Sequence, residues 1–117
     1  MALTRETDLG KIVISNEVFK AAIEDACLSP NCAGKIWLSS KPGIEAEYDE
    51  NGRVTLEFSA VIKFGASIKV VSRELADIIA EHIKKRSGDY PSLIKVNIVG
   101  IKSKNTVKRS VEVLCEY

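Results

Sequence analysis

The sequence predicts an α+β fold: a two-layer sandwich with two helices on one face of a mixed sheet, in the order β-α-β-β-α-β with an added C-terminal strand. Three observations predict it. Val54, Leu56, Phe58, Ala60, Ile62 and Phe64 alternate with Thr55, Glu57, Ser59 and Lys63, with Val61 the only exception, and a period of two belongs to a half-buried strand. After Gly65 the period changes: Ile68, Val71, Leu75, Ile78, Ile79 and Ile83 recur at three- and four-residue steps, which marks one face of a helix. A further apolar run, Leu93 to Ile101, follows the helix. The strand would span about 36 Å and the helix about 30 Å, so the helix returns along the strand. The unit is then a right-handed β-α-β crossover with parallel strands.

Taken in order, residues 1 to 9 are polar and aperiodic and read as a flexible terminus, and residues 10 to 117 read as one domain. Lys11 to Ile14 form a short strand after Gly10. Ser15 is placed to cap a helix from Asn16 to Cys27, with Glu17 at its positive end and Val18, Phe19, Ala22, Ile23 and Ala26 as its buried stripe. Pro30 and Gly34 stop that helix. Residues 35 to 38 read equally as a strand or an apolar lid, and Ser39 to Gly43 as a turn. Ile44 to Tyr48 is a short strand, joined to the long one through Asn51-Gly52, a pair suited to a tight hairpin. Gly88 ends the long helix. Ser103 to Thr106 is a turn, and Val111, Val113 and Cys115 alternate in a last antiparallel strand from Arg109 to Cys115. A six-residue echo, VISNEV at 13 to 18 and VVSREL at 70 to 75, is too short to establish a repeat.

Seventeen basic and sixteen acidic residues give a net charge of +1, so no global field gathers nucleic acid or lipid and any such binding must come from a local patch. No apolar run reaches the ~20 residues of a membrane span. The N-terminus carries acids and lacks an apolar h-region, which argues against a signal peptide. Three cysteines, an odd number, read as reduced thiols of a cytoplasmic protein.

Gly10 to Val18, Val61 to Ile68 and Val96 to Ile101, in that order and spacing, resemble the alkaline shock protein family, also called the envelope stress response family of Gram-positive bacteria. The resemblance covers roughly residues 10 to 101. It implies a small cytoplasmic protein without catalysis that self-associates near the envelope, some members being held there by a membrane-anchored homologue, and it supplies neither cofactor nor catalytic motif. The chain departs from the usual pattern at Cys27 to Trp37 and beyond Ile101. The resemblance starts the long helix at Ser67, whereas local chemistry favours Ser72 as the cap, because Glu74 then sits in the first turn.

Four sets of residues invite a functional reading. Cys27, Cys32, Cys115 and His82 amount to a Cys3His set for zinc, set against buried or idle thiols and an edge histidine; no metal site is assigned. Lys102, Lys104, Lys108 and Arg109 put four cations in eight residues without an acid, a segment for phosphate or partner contact, or else a solvated hairpin tip. Trp37 is either a core-covering lid or an anchor for a partner. Arg73 with Asp77 and Glu81 with Lys85 are i,i+4 pairs of structural value. Phosphate-binding glycine loops are missing, and one histidine offers little for acid–base chemistry. The residues offer no catalytic set, and the resemblance implies a non-enzymatic cytoplasmic interaction protein, without cofactor, that forms homo-oligomers and lies peripheral to the membrane through a partner such as an anchored homologue. The alternative is a small nucleic-acid-binding module using the basic 102–109 segment.

Overall fold

A computed structural model describes the backbone of residues 2–7, 10–39, 43–48, 50 and 52–117, and side chains from Glu17 onward within those ranges. The elements are β1 (Ala2–Thr7), β2 (Gly10–Ser15), α1 (Asn16–Cys27), β3 (Ile36–Ser39), β4 (Glu45–Tyr48), β5 (Val54–Lys63), α2 (Ile68–Ser87), β6 (Leu93–Lys102) and β7 (Thr106–Glu116). The fold is α+β, with two helices and a mixed five-stranded sheet.

The alternating stretch forms β5, and its even-numbered apolar residues from Val54 to Ile62 are all buried. On one edge β5 pairs with β6 in parallel, Thr55 opposite Leu93, as a crossover through α2 requires. On its other edge it carries two short antiparallel neighbours end to end: β4 along Val54 to Glu57 and β3 along Ser59 to Ile62. β7 pairs antiparallel with β6 and forms the outer strand. The KIWL segment is thus a strand, and β5 and β6 are neighbours.

The helix predicted after the long strand runs from Ile68 to Ser87. Ser67 is its cap: the backbone there is extended (φ −72°, ψ 114°) and Oγ accepts from the Val70 N–H at 3.3 Å. Ser72 lies one turn inside and is buried. Gly88, with φ 88° in the left-handed region, closes the helix by donating its N–H to Lys84 O. Lys84, Lys85 and Arg86 occupy the last turn, where cations suit the negative dipole end. Val71, Leu75, Ile79 and Ile83 face the core as the period predicts. So does a second row, Ser72, Ala76 and Ala80, whose small side chains carry little hydropathy signal.

α1 packs against β3 and α2, and α2 against β6 and β7. Phe19, Ile23 and Ala26 of α1 join the buried face of β5 and β6 in one core. Burying a Phe or Ile side chain stabilises by roughly 1.5–3 kcal/mol each.

Phe64, expected on the apolar side of the long strand, lies past its end and is exposed, and three further details differ from the sequence reading. The first predicted strand, β2, pairs with β1 in a separate two-stranded ladder, Ala2 opposite Ser15. Ala2–Thr7, to which the sequence assigns no element, is therefore a strand, since backbone pairing does not need the apolar alternation that makes a strand visible. Second, the last strand begins at Thr106, three residues before the predicted Arg109. Third, Glu81 takes the Tyr90 hydroxyl at 2.8 Å, where the sequence pairs it with Lys85. The Arg73–Asp77 pair forms, at 3.9 Å between exposed side chains, and contributes at most a few tenths of a kcal/mol. The Ser15 side chain, residues 40–42 of the predicted turn and Asn51 of the predicted hairpin lie outside the described residues.

Candidate interaction surface

One end of the sheet gathers charge from several segments. At the last residues of β5, the Lys63 N–H donates to Lys35 O at 2.7 Å and the Phe64 N–H to Lys102 O at 2.8 Å. These bonds fix the end of β5 beside the start of β3 and the end of β6, and Lys63 stands opposite Lys102 in register. Lys69 follows in the first turn of α2. Of the predicted cations, Lys102 ends β6, Lys104 lies in the turn to β7, and Lys108 and Arg109 belong to β7; all four are exposed. The sequence reading finds these four and misses Lys35, Lys63 and Lys69.

A signal for the missed residues does exist. Segments 26–44, 58–73 and 90–111 contain no Asp or Glu, and the β3–β5–β6–β7 order brings the ends of these acid-free segments together. Seven cations, Lys35, Lys63, Lys69, Lys102, Lys104, Lys108 and Arg109, therefore share one end. Among them stand three exposed apolar side chains: Phe64 (71%), Val107 (62%) and Val70 (55%). Phe64 and Val70 line a shallow hollow of about 500 Å3 together with Lys35 and Lys63.

Trp37 and Lys102, separate candidates in the sequence, meet here. The Lys102 ammonium sits 4.6 Å from the Trp37 ring centroid, a cation–π distance. The indole also lines a groove with Leu28, Lys20 and Glu24, and Glu24 pairs with Lys20 at 4.0 Å.

The sheet face away from the helices is partly polar, as the alternation implies. Asn97 Nδ2 donates to Glu57 Oε2 at 2.7 Å, and the Lys95 ammonium lies 3.6 Å from Glu57 and 3.2 Å from Glu112. The bond to Glu112, above all, raises the Lys95 pKa from its ordinary value. This row ties β5, β6 and β7 together across the open face.

β7 borders that face and pairs only with β6 among the described residues. At eleven residues it is twice the usual strand length, and one backbone edge is unpaired. Its first half is blunted by Lys108, Arg109 and a bulge opposite Val99. Its second half, Val111 to Glu116, keeps a regular register and presents Leu114 at 55% exposure. The long predicted strand, β5, is paired on both edges, so the long open edge among the described residues is that of β7.

The thiols and His82 are not gathered. No group of three or more His, Cys, Asp or Glu placed to hold a metal occurs among the described residues. Cys27 ends α1 and Cys32 lies in the turn after it, both buried, Cys115 is buried in β7, and His82 lies between α1 and α2 beside Val18, Ala22 and Arg86. Burial first, then the neighbouring Cys32, pushes the Cys27 thiol up to about 11. It therefore stays protonated, and a poor nucleophile, at neutral pH.

The opposite end of the molecule is closed by aromatic and guanidinium contacts. Arg53 donates to the main-chain oxygens of Tyr90, Pro91 and Tyr117. The Tyr90 and Tyr117 rings stack at 6.4 Å, and Lys84 stands over Tyr90. Tyr117 donates its hydroxyl to Asp77 at 2.7 Å; burial, then this bond, raises its pKa far above the usual phenol range. These contacts tie the end of β7 to α2 and use up the polar groups involved.

No family model, no curated protein and no solved structure matches this chain. No helix among the described residues is long and apolar enough to cross a membrane.

Proposed function

We propose that this chain is a non-enzymatic, cytoplasmic interaction protein of the alkaline shock type, which self-associates and binds partners near the cell envelope, including a membrane-anchored homologue. The observation that carries the reading is the regular, unpaired half of β7 from Val111 to Glu116, about 20 Å of open backbone edge beside the exposed Leu114. An exposed edge of this length is a template for pairing with another chain, and main-chain hydrogen bonds supply much of the affinity in such complexes. The family resemblance rests on three segments. They fall on the β2–α1 junction, on the handover from β5 to α2, and in β6.

The test is light scattering over a concentration series. The wild-type mass should rise above that of the monomer with concentration. Leu114→Lys, at an exposed position, should weaken association at least tenfold while leaving the melting temperature within a degree or two, because a lysine on an edge strand opposes pairing. A strict monomer at every concentration, with no capture of an anchored homologue, contradicts the proposal.

A further inference from the structure

We propose that the basic end of the sheet binds the surface of an anionic bilayer directly, with its lysine and arginine side chains on lipid phosphates and Phe64, Val70 and Val107 at the acyl boundary. This goes beyond the reading above, in which the envelope is reached only through a partner.

Three observations converge. First, seven cations occupy one end, and the segments that meet there contain no acid. The nearest acid along the Trp37 groove, Glu24, is already paired with Lys20. Clusters of four to eight Lys and Arg are the size that recognises anionic headgroups. Second, the acids at the far end of the sheet, Glu47, Glu50, Asp89 and Glu116, stand among Arg53, Lys84, Lys85 and Arg86, so the far end mixes both signs while the basic end carries one, and a negative surface favours the basic end. Third, the apolar groups among these cations are one phenylalanine and two valines, all more than half exposed.

The third observation separates lipid from nucleic acid. Phe64, just past the end of β5, donates its N–H to Lys102 O, and Lys102 stands opposite Thr106, the residue before Val107, so Phe64 and Val107 lie at the same end of the sheet on either side of β6, both exposed. Valines have no face on which a base could stack, and single-stranded nucleic acid is held chiefly by aromatic stacking. The one indole nearby, Trp37, is covered on one face by Lys102. A mixture of aliphatic tips and lysines fits the headgroup–acyl boundary better.

The experiment is cosedimentation of the full chain with vesicles of phosphatidylglycerol in phosphatidylcholine, beside vesicles of phosphatidylcholine alone and single-stranded RNA. The expected result is binding to the phosphatidylglycerol vesicles only, weakening as salt rises. Replacing Lys104, Lys108 and Arg109 by Gln should lower partition by on the order of a hundredfold, from about fivefold per cation. Phe64→Ser should lower it several-fold without removing the salt dependence. All four positions are exposed, so the variants should melt like the wild type, and the wild-type salt series needs no variant at all. Absence of binding to anionic vesicles at low salt overturns the proposal. So does RNA binding that survives Phe64→Ser in a chain indifferent to phosphatidylglycerol, a result that assigns the basic end to nucleic acid. Self-association is read without lipid, so failure here leaves the β7 proposal standing.

Discussion

Ser67 and Ser72 show how surroundings decide what one hydroxyl does. Ser67 Oγ accepts the Val70 amide at the start of α2, satisfying one of the donors a helix end leaves open. Ser72, which local chemistry favours because Glu74 follows it, lies in the buried stripe, and its hydroxyl has no hydrogen-bond partner among the described residues. An acid in the first turn adds a few tenths of a kcal/mol, whereas moving the helix start to Ser72 would remove Val71 from its stripe. Ser67→Ala should therefore cost about 1 kcal/mol, and Ser72→Ala should be neutral or slightly stabilising, because it removes a buried unsatisfied group. Thermal or urea unfolding of the two variants decides it, and the reverse order would place the cap at Ser72. Trp37 is a second case at this scale. The sequence shows an indole in a turn-rich region, while its partner, Lys102, is 65 residues away and becomes visible only when β3 and β6 flank β5.

Elements with strong periods were legible and those held by pairing alone were not. β5 and α2 carry their signature in every residue, so their bounds fall within a residue or two of the expected ones. β1 has no apolar alternation, and β3 is four residues long; each owes its form to a neighbour's backbone. Nor could the sequence show that β3 and β4 share one edge of β5, since both are too short to specify a partner by pattern. The β6–β7 hairpin carries a testable consequence of close packing. A Cβ at Gly100 would stand 3.0 Å from Thr106 Cγ2 and 3.3 Å from Val107 O. Gly100→Ala should destabilise the hairpin, with a cost of about 1–3 kcal/mol. Adding Thr106→Ser, which deletes the opposing methyl group, should restore part of that loss in a double-mutant cycle. A Gly100→Ala protein as stable as the wild type would show that the β6–β7 spacing is looser than described.

At the scale of the whole molecule, the net charge of +1 conceals a division. Acid-free segments converge at one end of the sheet, while acids and bases mix at the other, which a sum over the chain cannot reveal. The hairpin cations were legible because they are neighbours in sequence; Lys35, Lys63 and Lys69 were not, because only the strand order brings them there. The same reason hid the free edge. β5 is the strand the pattern shows most plainly, yet topology places it inside the sheet and leaves the long open edge among the described residues to β7. The central claim is that this edge is where copies of the chain meet. Hydrogen–deuterium exchange of the 111–116 amides at rising protein concentration tests it most directly. The account predicts that protection in this segment grows with concentration while β4, on the other side of the sheet, is unchanged; exchange of 111–116 that is the same at every concentration would contradict it.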